Sequence, residues 1–113
     1  MPEEVFCEHY QRAIELIGGR WTGVIIRALL GGVHRFSDLK AAIPGLSDRM
    51  LAERLRELEA EGLTRREVLP DMPVRVEYHL TDKGRALSGV LDAIVHWLES
   101  WSETAPSPLM QRD

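Results

Sequence analysis

A single cysteine, Cys7, stands among the 113 residues. One thiol excludes an intramolecular disulfide framework and a cysteine-rich zinc site, and it fits a reducing, cytoplasmic setting. Long apolar runs are lacking too. The longest uncharged one, around Gly23-Val-Ile-Ile26, falls far short of the ~20 residues needed to cross a bilayer. The beginning of the chain carries Glu3 and Glu4 rather than a basic leader, so neither a membrane span nor a signal peptide is expected. No G-x-S-x-G elbow, P-loop or G-x-G-x-x-G is present, and no carboxylate pair has a supporting context. His9, His34, His79 and His96 are scattered, without the i,i+4 spacing of a helical metal pair. Cys7 and His9 would point to different sides of a helix. An enzyme, a cofactor and a metal site are therefore not expected. Lysine is also scarce: Lys40 and Lys83 stand beside twelve arginines. Arginine presents a planar fork that suits phosphates and guanine edges.

What is present is ordinary globular composition, 44% hydrophobic and 28% charged, at a length that fits one domain over 1–113. Net charge is −4, which taken alone argues against nucleic acid. The distribution weakens that objection. Residues 1–34 hold four acids and three bases, residues 35–85 ten of each, and residues 86–113 four acids and one base. The acidic excess sits at the ends, and the middle is densely charged and neutral.

Phe6, Tyr10, Ala13, Ile14 and Ile17 recur at helical spacing, predicting a helix over 6–17 that stops at Gly18-Gly19. Trp21, Val24, Ile25, Ala28 and Leu29 mark a second helix, ended by Gly31-Gly32. Ser37 is read as the N-cap of a short third helix, and Ser47 as the cap of a fourth running to about Ala60 and closed by Gly62. After Gly62 the period changes. Val74, Val76, Tyr78 and Leu80 alternate with Arg75, Glu77 and His79, as in a half-buried strand. Leu63–Leu69 is strand-compatible, and Pro70–Pro73 reads as the connecting loop. Thr81 or Asp82 opens a long helix over 82–102, and the tail 104–113 is expected to fray. The expected class is mainly α with a small β-hairpin wing: a helix-turn-helix over 37–60 followed by a wing over 63–80.

On the fourth helix, Leu51, Leu55 and Leu58 form one narrow stripe at 100° per residue. Arg49, Ala52, Glu53, Arg56 and Ala60 lie opposite, while Arg54 and Met50 lie on a flank. Two arginines, an acid able to accept from cytosine N4, and small residues permitting close approach suit a major groove. The plainer alternative is a solvated face with short-range ion pairs. Arg65, Arg66 and Arg75 are expected near the hairpin tip, against phosphates or in a minor groove. Pairing with Glu67 or Glu77 across the ladder is the alternative. Ser37 and Ser47 offer hydroxyls and N–H groups to phosphates, or cap their helices.

In the long helix Leu87, Leu91, Ile94, Leu98 and Trp101 share a stripe, widened by Val90, Val95 and Trp97. The apolar arc is roughly 160° wide, more than the ~100° that one core requires. About 22 residues make a rod of roughly 33 Å. With Tyr10 and Ile14 of the first helix, Leu91, Ile94, Leu98 and Trp101 are expected to pack across a two-fold axis in a homodimer. Packing on a larger monomer core is the alternative. Cys7 sits near the start of the first helix. That position favours a thiolate, Glu3, Glu4 and Glu8 oppose it, and a small buried hydrophobe is the alternative role.

These residues resemble the HxlR family of bacterial winged-helix transcriptional regulators, related in fold to the MarR family. The likeness rests on Gly18-Gly-Arg-Trp-Thr22, Arg35-Phe-Ser-Asp-Leu39, Pro44-Gly-Leu-Ser-Asp-Arg-Met-Leu51, Arg54-Leu-Arg-Glu-Leu-Glu59, Glu61-Gly-Leu63, and Arg75-Val-Glu-Tyr-His-Leu-Thr81 with Gly84 and Trp97. It runs from Cys7 to about Trp101. The resemblance implies a homodimer joined by first and last helices, with each subunit placing its fourth helix in a major groove of an inverted-repeat operator. In some members a cysteine near the start of the first helix senses oxidants, quinones or aldehydes, and Cys7 matches that position. Three positions depart from the usual pattern: Glu8 where Pro is usual, Arg20 where Lys is usual, and Val74 where Pro is common in the wing.

The leading expectation is a DNA-binding regulator whose partners are double-stranded DNA, a second copy and a small-molecule effector. A winged helix used only for protein interaction would carry an apolar fourth-helix surface, unlike Arg49, Glu53 and Arg56. A ligand-binding protein built on Trp21, Trp97 and Trp101 is the third reading.

Overall fold

The computed structural model describes residues 7–101. Phe6, Ser102 and the tail 104–113 lie outside the described residues. Five helices and one hairpin follow in the order α1 (Glu8–Ile17), α2 (Thr22–Leu30), α3 (Phe36–Ala42), α4 (Asp48–Ala60), β1 (Thr64–Leu69), β2 (Arg75–Leu80) and α5 (Asp82–Trp101). No helix among the described residues is long and apolar enough to cross a membrane.

Local chemistry sets the boundaries. Cys7 is the N-cap of α1, its Sγ accepting from the Tyr10 N–H at 3.4 Å. Gly18 and Gly31 close α1 and α2. Ser47 caps α4, its Oγ accepting from the Met50 N–H at 3.1 Å. Beyond α4, Gly62 takes φ +77, a left-handed turn that glycine adopts without steric cost. Thr81 opens α5 in two directions: Oγ1 accepts from Gly84 N–H at 3.1 Å and donates to the Gly62 carbonyl at 2.6 Å. Ser37 does not cap α3. The cap is Arg35, with extended backbone, and Ser37 is the second helical residue. The Leu39 N–H already reaches the Arg35 carbonyl at 2.9 Å, which starts the helix two residues earlier.

The core forms where the helical stripes and the hairpin base converge. Ile25, Ile26, Leu39, Leu46, Leu51, Leu55, Leu58 and Leu63 are essentially inaccessible, each contributing on the order of 1.5–3 kcal/mol by leaving water. Leu29, Ile43, Leu80 and Leu91 complete the cluster. The α5 start presses so closely on the α4–β1 turn that a Cβ on Gly84 would collide with the Leu63 carbonyl oxygen.

β1 and β2 pair antiparallel, with Thr64 opposite Leu80, Arg66 opposite Tyr78, Glu67 opposite Glu77 and Leu69 opposite Arg75. A short third segment joins the far edge of β2: Arg35 bridges Glu77, and the Tyr78 N–H donates to the His34 carbonyl at 2.8 Å. The hairpin thus grows from the body as a wing rooted beside the α2–α3 turn.

Candidate nucleic-acid interface

α4 follows α3 across the turn Ile43–Ser47, in which Gly45 takes φ +88 and sits against the Trp21 ring. With Leu51, Leu55 and Leu58 buried, the helical period turns Arg49, Ala52, Glu53 and Arg56 to the opposite side. Arg49 is 89% exposed and its Nε stands 3.2 Å from Glu53 Oε2. Such an exposed pair contributes at most about 1 kcal/mol, so either partner can exchange it for a base edge. Arg56 is exposed and has no ion-pair partner among the described residues. Ala52 keeps the middle of this face shallow.

Arg54 does different work. Its Nε donates to the Arg20 carbonyl at 2.8 Å, and Nη1 donates to both Glu57 carboxylate oxygens at 3.1 Å. It anchors α4 to the turn before α2. Ser47 is occupied in capping, while Ser37 is exposed on the first turn of α3. Sequence periodicity gave no reason to single out Arg35 for this surface. It is exposed, forms no ion pair among the described residues, and precedes α3 beside the wing root.

The wing arginines are not gathered at the tip. The tip is Pro70–Val74, where Met72 is 98% exposed. Only Arg75 borders it. Arg65 and Arg66 face His79 and Tyr78 near the open end of the hairpin, roughly 10–14 Å along the strand from Leu69 at ~3.4 Å per residue. Alternation also separates them. Arg66 shares a face with Val68 and Tyr78, is exposed and has no ion-pair partner among the described residues. Arg65 and Arg75 share the other face, where Arg65 pairs with Glu67 at 3.3 Å and Arg75 with Asp71 at 3.0 Å and Glu77 at 3.5 Å. A hydrogen bond from His79 holds the Glu77 carboxyl below the usual carboxylate range. Partial desolvation opposes this, and Arg75 adds to the lowering.

The terminal helices leave apolar surface in solvent. α1 buries none of its residues; Tyr10 is 64% and Ile14 43% exposed. From Asp92 onward every residue of α5 is exposed, including Ile94, Val95, Trp97, Leu98 and Trp101. Leu91 departs from the expected face: it is buried in the chain's own core, with Cδ2 reaching toward Gly23 of α2. Trp21 rests half-buried on the core while Trp97 and Trp101 are exposed, so the three tryptophans enclose no common pocket. A cavity of about 310 Å³ instead lies between α1 and α5, lined by Ala13, Leu16, Ile17, Leu63 and Leu87 together with His9, Arg12, Glu61 and Lys83.

Comparison with known proteins places this geometry. Residues 16–106 match the family model described as HxlR-like helix-turn-helix. The chain is 46% identical over 101 residues to the uncharacterized HTH-type transcriptional regulator YvaP of Bacillus subtilis, covering 89% of this chain and 94% of that one. The HTH-type transcriptional regulator YodB of the same organism is 43% identical over 97 residues, covering 86% of this chain and 87% of that one. The reduced form of YodB superposes with a TM-score of 0.81 at 42% identity, covering 89% of this chain and 99% of that chain. YodB has also been solved after diamide treatment and bound to a quinone. The redox regulator HypR, in its reduced form, superposes with a TM-score of 0.77 at 35% identity, covering 85% of this chain and 95% of that one.

Proposed function

The chain belongs to the HxlR-like helix-turn-helix family and is a DNA-binding transcriptional regulator; from that premise we propose that it reads an inverted repeat as a homodimer, with one α4 in each of two major grooves. The observation that carries this is the division of α4 into a fully buried leucine stripe and an opposite face of Arg49, Glu53 and Arg56. Arg49 and Arg56 are donors of the kind that reads guanine O6 and N7, and Glu53 accepts from cytosine N4. Ser37, Arg35 and the wing's Arg66 and Arg75 supply phosphate contacts, which fix register without reading sequence. Arg65 adds to these where it leaves Glu67.

The second copy is supported by the exposed apolar faces of α1 and α5. Pairing Tyr10, Ile14, Ile94, Leu98 and Trp101 across a two-fold axis covers that surface. It also sets the two reading helices at a fixed spacing, which must match roughly 34–36 Å or a multiple.

Cys7 supplies a thiol-based input. It is exposed and caps α1, the helix assigned to the dimer seam. The relatives YodB, solved after diamide treatment and with quinone, and HypR, solved reduced and oxidized, carry the same fold. The cavity between α1 and α5 is the place for a small apolar effector.

The test is fluorescence anisotropy on DNA flanking the protein's own gene, with sedimentation in parallel. Binding to an inverted repeat with two chains per site is expected. Equal affinity for scrambled DNA, or one chain bound per site, would overturn the reading.

A further inference from the structure

Glu67 and Glu77 stand directly opposite each other in the hairpin register. Like charges so placed destabilise a ladder unless a cation lies between them. His79, two residues beyond Glu77 on the same face, aims Nε2 at both: 2.9 Å to Glu77 Oε1 and 3.6 Å to Glu67 Oε1. One donor atom from each of the three side chains falls within 4.8 Å of the others. Donors bonded at ~2.0–2.2 Å around a tetrahedral zinc ion stand roughly 3.3–3.6 Å apart. The two histidine–carboxylate separations, 2.9 and 3.6 Å, bracket that spacing, and the third lies within 4.8 Å.

The imidazole is held independently of any ion. The His34 ring stacks on His79 with centroids 4.1 Å apart, and His34 Nδ1 is fixed to the Tyr78 carbonyl at 3.1 Å. Rings oriented in advance raise metal affinity. The arginines now neutralising the carboxylates are replaceable. Arg65 is 59% exposed at its 3.3 Å contact with Glu67. Arg75 Nε is buried without a hydrogen bond, 3.5 Å from Glu77 Oε2. The contact it would surrender is poorly made, and the 3.0 Å pair with Asp71 that remains is partly exposed and exchangeable for a phosphate.

We propose that Glu67, Glu77 and His79 form a three-ligand site on the wing for a divalent transition ion of the zinc class, and that its occupancy releases Arg65 and Arg75 toward DNA phosphates. Imidazole with carboxylates suits such ions, and water completes the fourth position. The ion takes the place of the proton between His79 Nε2 and Glu77, the imidazole ligating through Nε2 as the tautomer protonated at Nδ1 and any further proton leaving to solvent, and it joins the two strands. The regulatory consequence rests on the wing contacting DNA; the site itself does not.

Two measurements separate these parts. Co²⁺ added to metal-free protein is expected to give the ligand-field bands of a low-coordinate site, and Zn²⁺ calorimetry one ion per chain. Glu67→Gln and His79→Ala should each abolish the site, whereas His96→Ala should keep it. Circular dichroism establishes that the variants are folded. Absence of cobalt bands and zinc heat, or binding that survives His79→Ala, overturns the site whether or not DNA is bound. In the second measurement Zn²⁺ should steepen the salt dependence of DNA binding by about one or two phosphate contacts, each near 0.9 in log–log slope. An unchanged slope with zinc bound overturns the release of the arginines. A protein that binds zinc and no DNA would instead contradict the proposed function.

Discussion

Arg54 on α4 and Arg20 in the turn before α2 are joined by a 2.8 Å hydrogen bond from guanidinium Nε to the backbone carbonyl. The bond links α4, the helix proposed to read DNA, to the α1–α2 junction. Arg54→Ala removes it along with both Glu57 contacts. A loss of about 1.5–3 kcal/mol is expected, read as a lower denaturation midpoint, with DNA affinity falling although Arg54 lies off the reading face. Unchanged stability would contradict the anchoring role.

Neighbouring positions on α5 should behave in opposite ways. Leu91 is 8% exposed and Ile94 49%. Leu91→Ala is expected to cost about 2–5 kcal/mol of folding stability by opening a hole beside α2. Ile94→Glu should leave the subunit folded and split the dimer, so sedimentation shifts toward one chain of 12.8 kDa. If Ile94→Glu remains dimeric, α5 is not the seam.

If α4 reads bases and the wing contacts phosphates as proposed, the two roles should be separable by substitution. Arg49→Ala should weaken operator binding by about 1–3 kcal/mol and relax preference at one position per half-site. Arg66→Ala should weaken binding to every sequence and lower the salt slope by about 0.9 per phosphate lost. Selection of preferred sequences by each variant, repeated at several salt concentrations, distinguishes the two. The same pattern from both substitutions would refute the division of labour.

Gly84→Ala is expected to destabilise the fold, although alanine is the better helix former by about 1 kcal/mol. The added methyl meets the Leu63 carbonyl oxygen and the Leu80 side chain. Overpacking of this kind costs about 1–3 kcal/mol or more. Thermal melting gives the sign directly.

Cys7→Ser keeps an N-cap oxygen where sulfur accepts from Tyr10 N–H, so α1 should begin as before. Diamide is expected to change operator affinity of the wild type and not of this variant. With no second cysteine in the chain, the oxidised product is a disulfide between subunits or with a small thiol. Non-reducing electrophoresis and mass spectrometry tell these apart. Equal affinity in all four samples would leave Cys7 as a cap and nothing more.

The sequence by itself determined the order of elements, the leucine stripe and arginine face of α4, the Ser47 cap and the hairpin after Gly62. Each is written in short-range periodicity or in capping chemistry within a few residues. Tertiary structure decided what depends on partners distant in the chain. A helical wheel assigns Leu91 and Ile94 to one stripe; only the approach of α2 buries the first and leaves the second in solvent. A cluster of arginines around a turn looks like a basic tip, but the strand register carries Arg65 and Arg66 to the hairpin's open end and alternation parts them. Ser37 has the chemistry of a cap, yet the bridge from Arg35 to Glu77 holds Arg35 in extended backbone at the helix start. The Glu67, Glu77 and His79 cluster was invisible to a search for histidines on one helix, because its ligand atoms meet across two strands. Periodicity along a chain reports which side of an element is apolar, and only packing between elements fixes what each side touches.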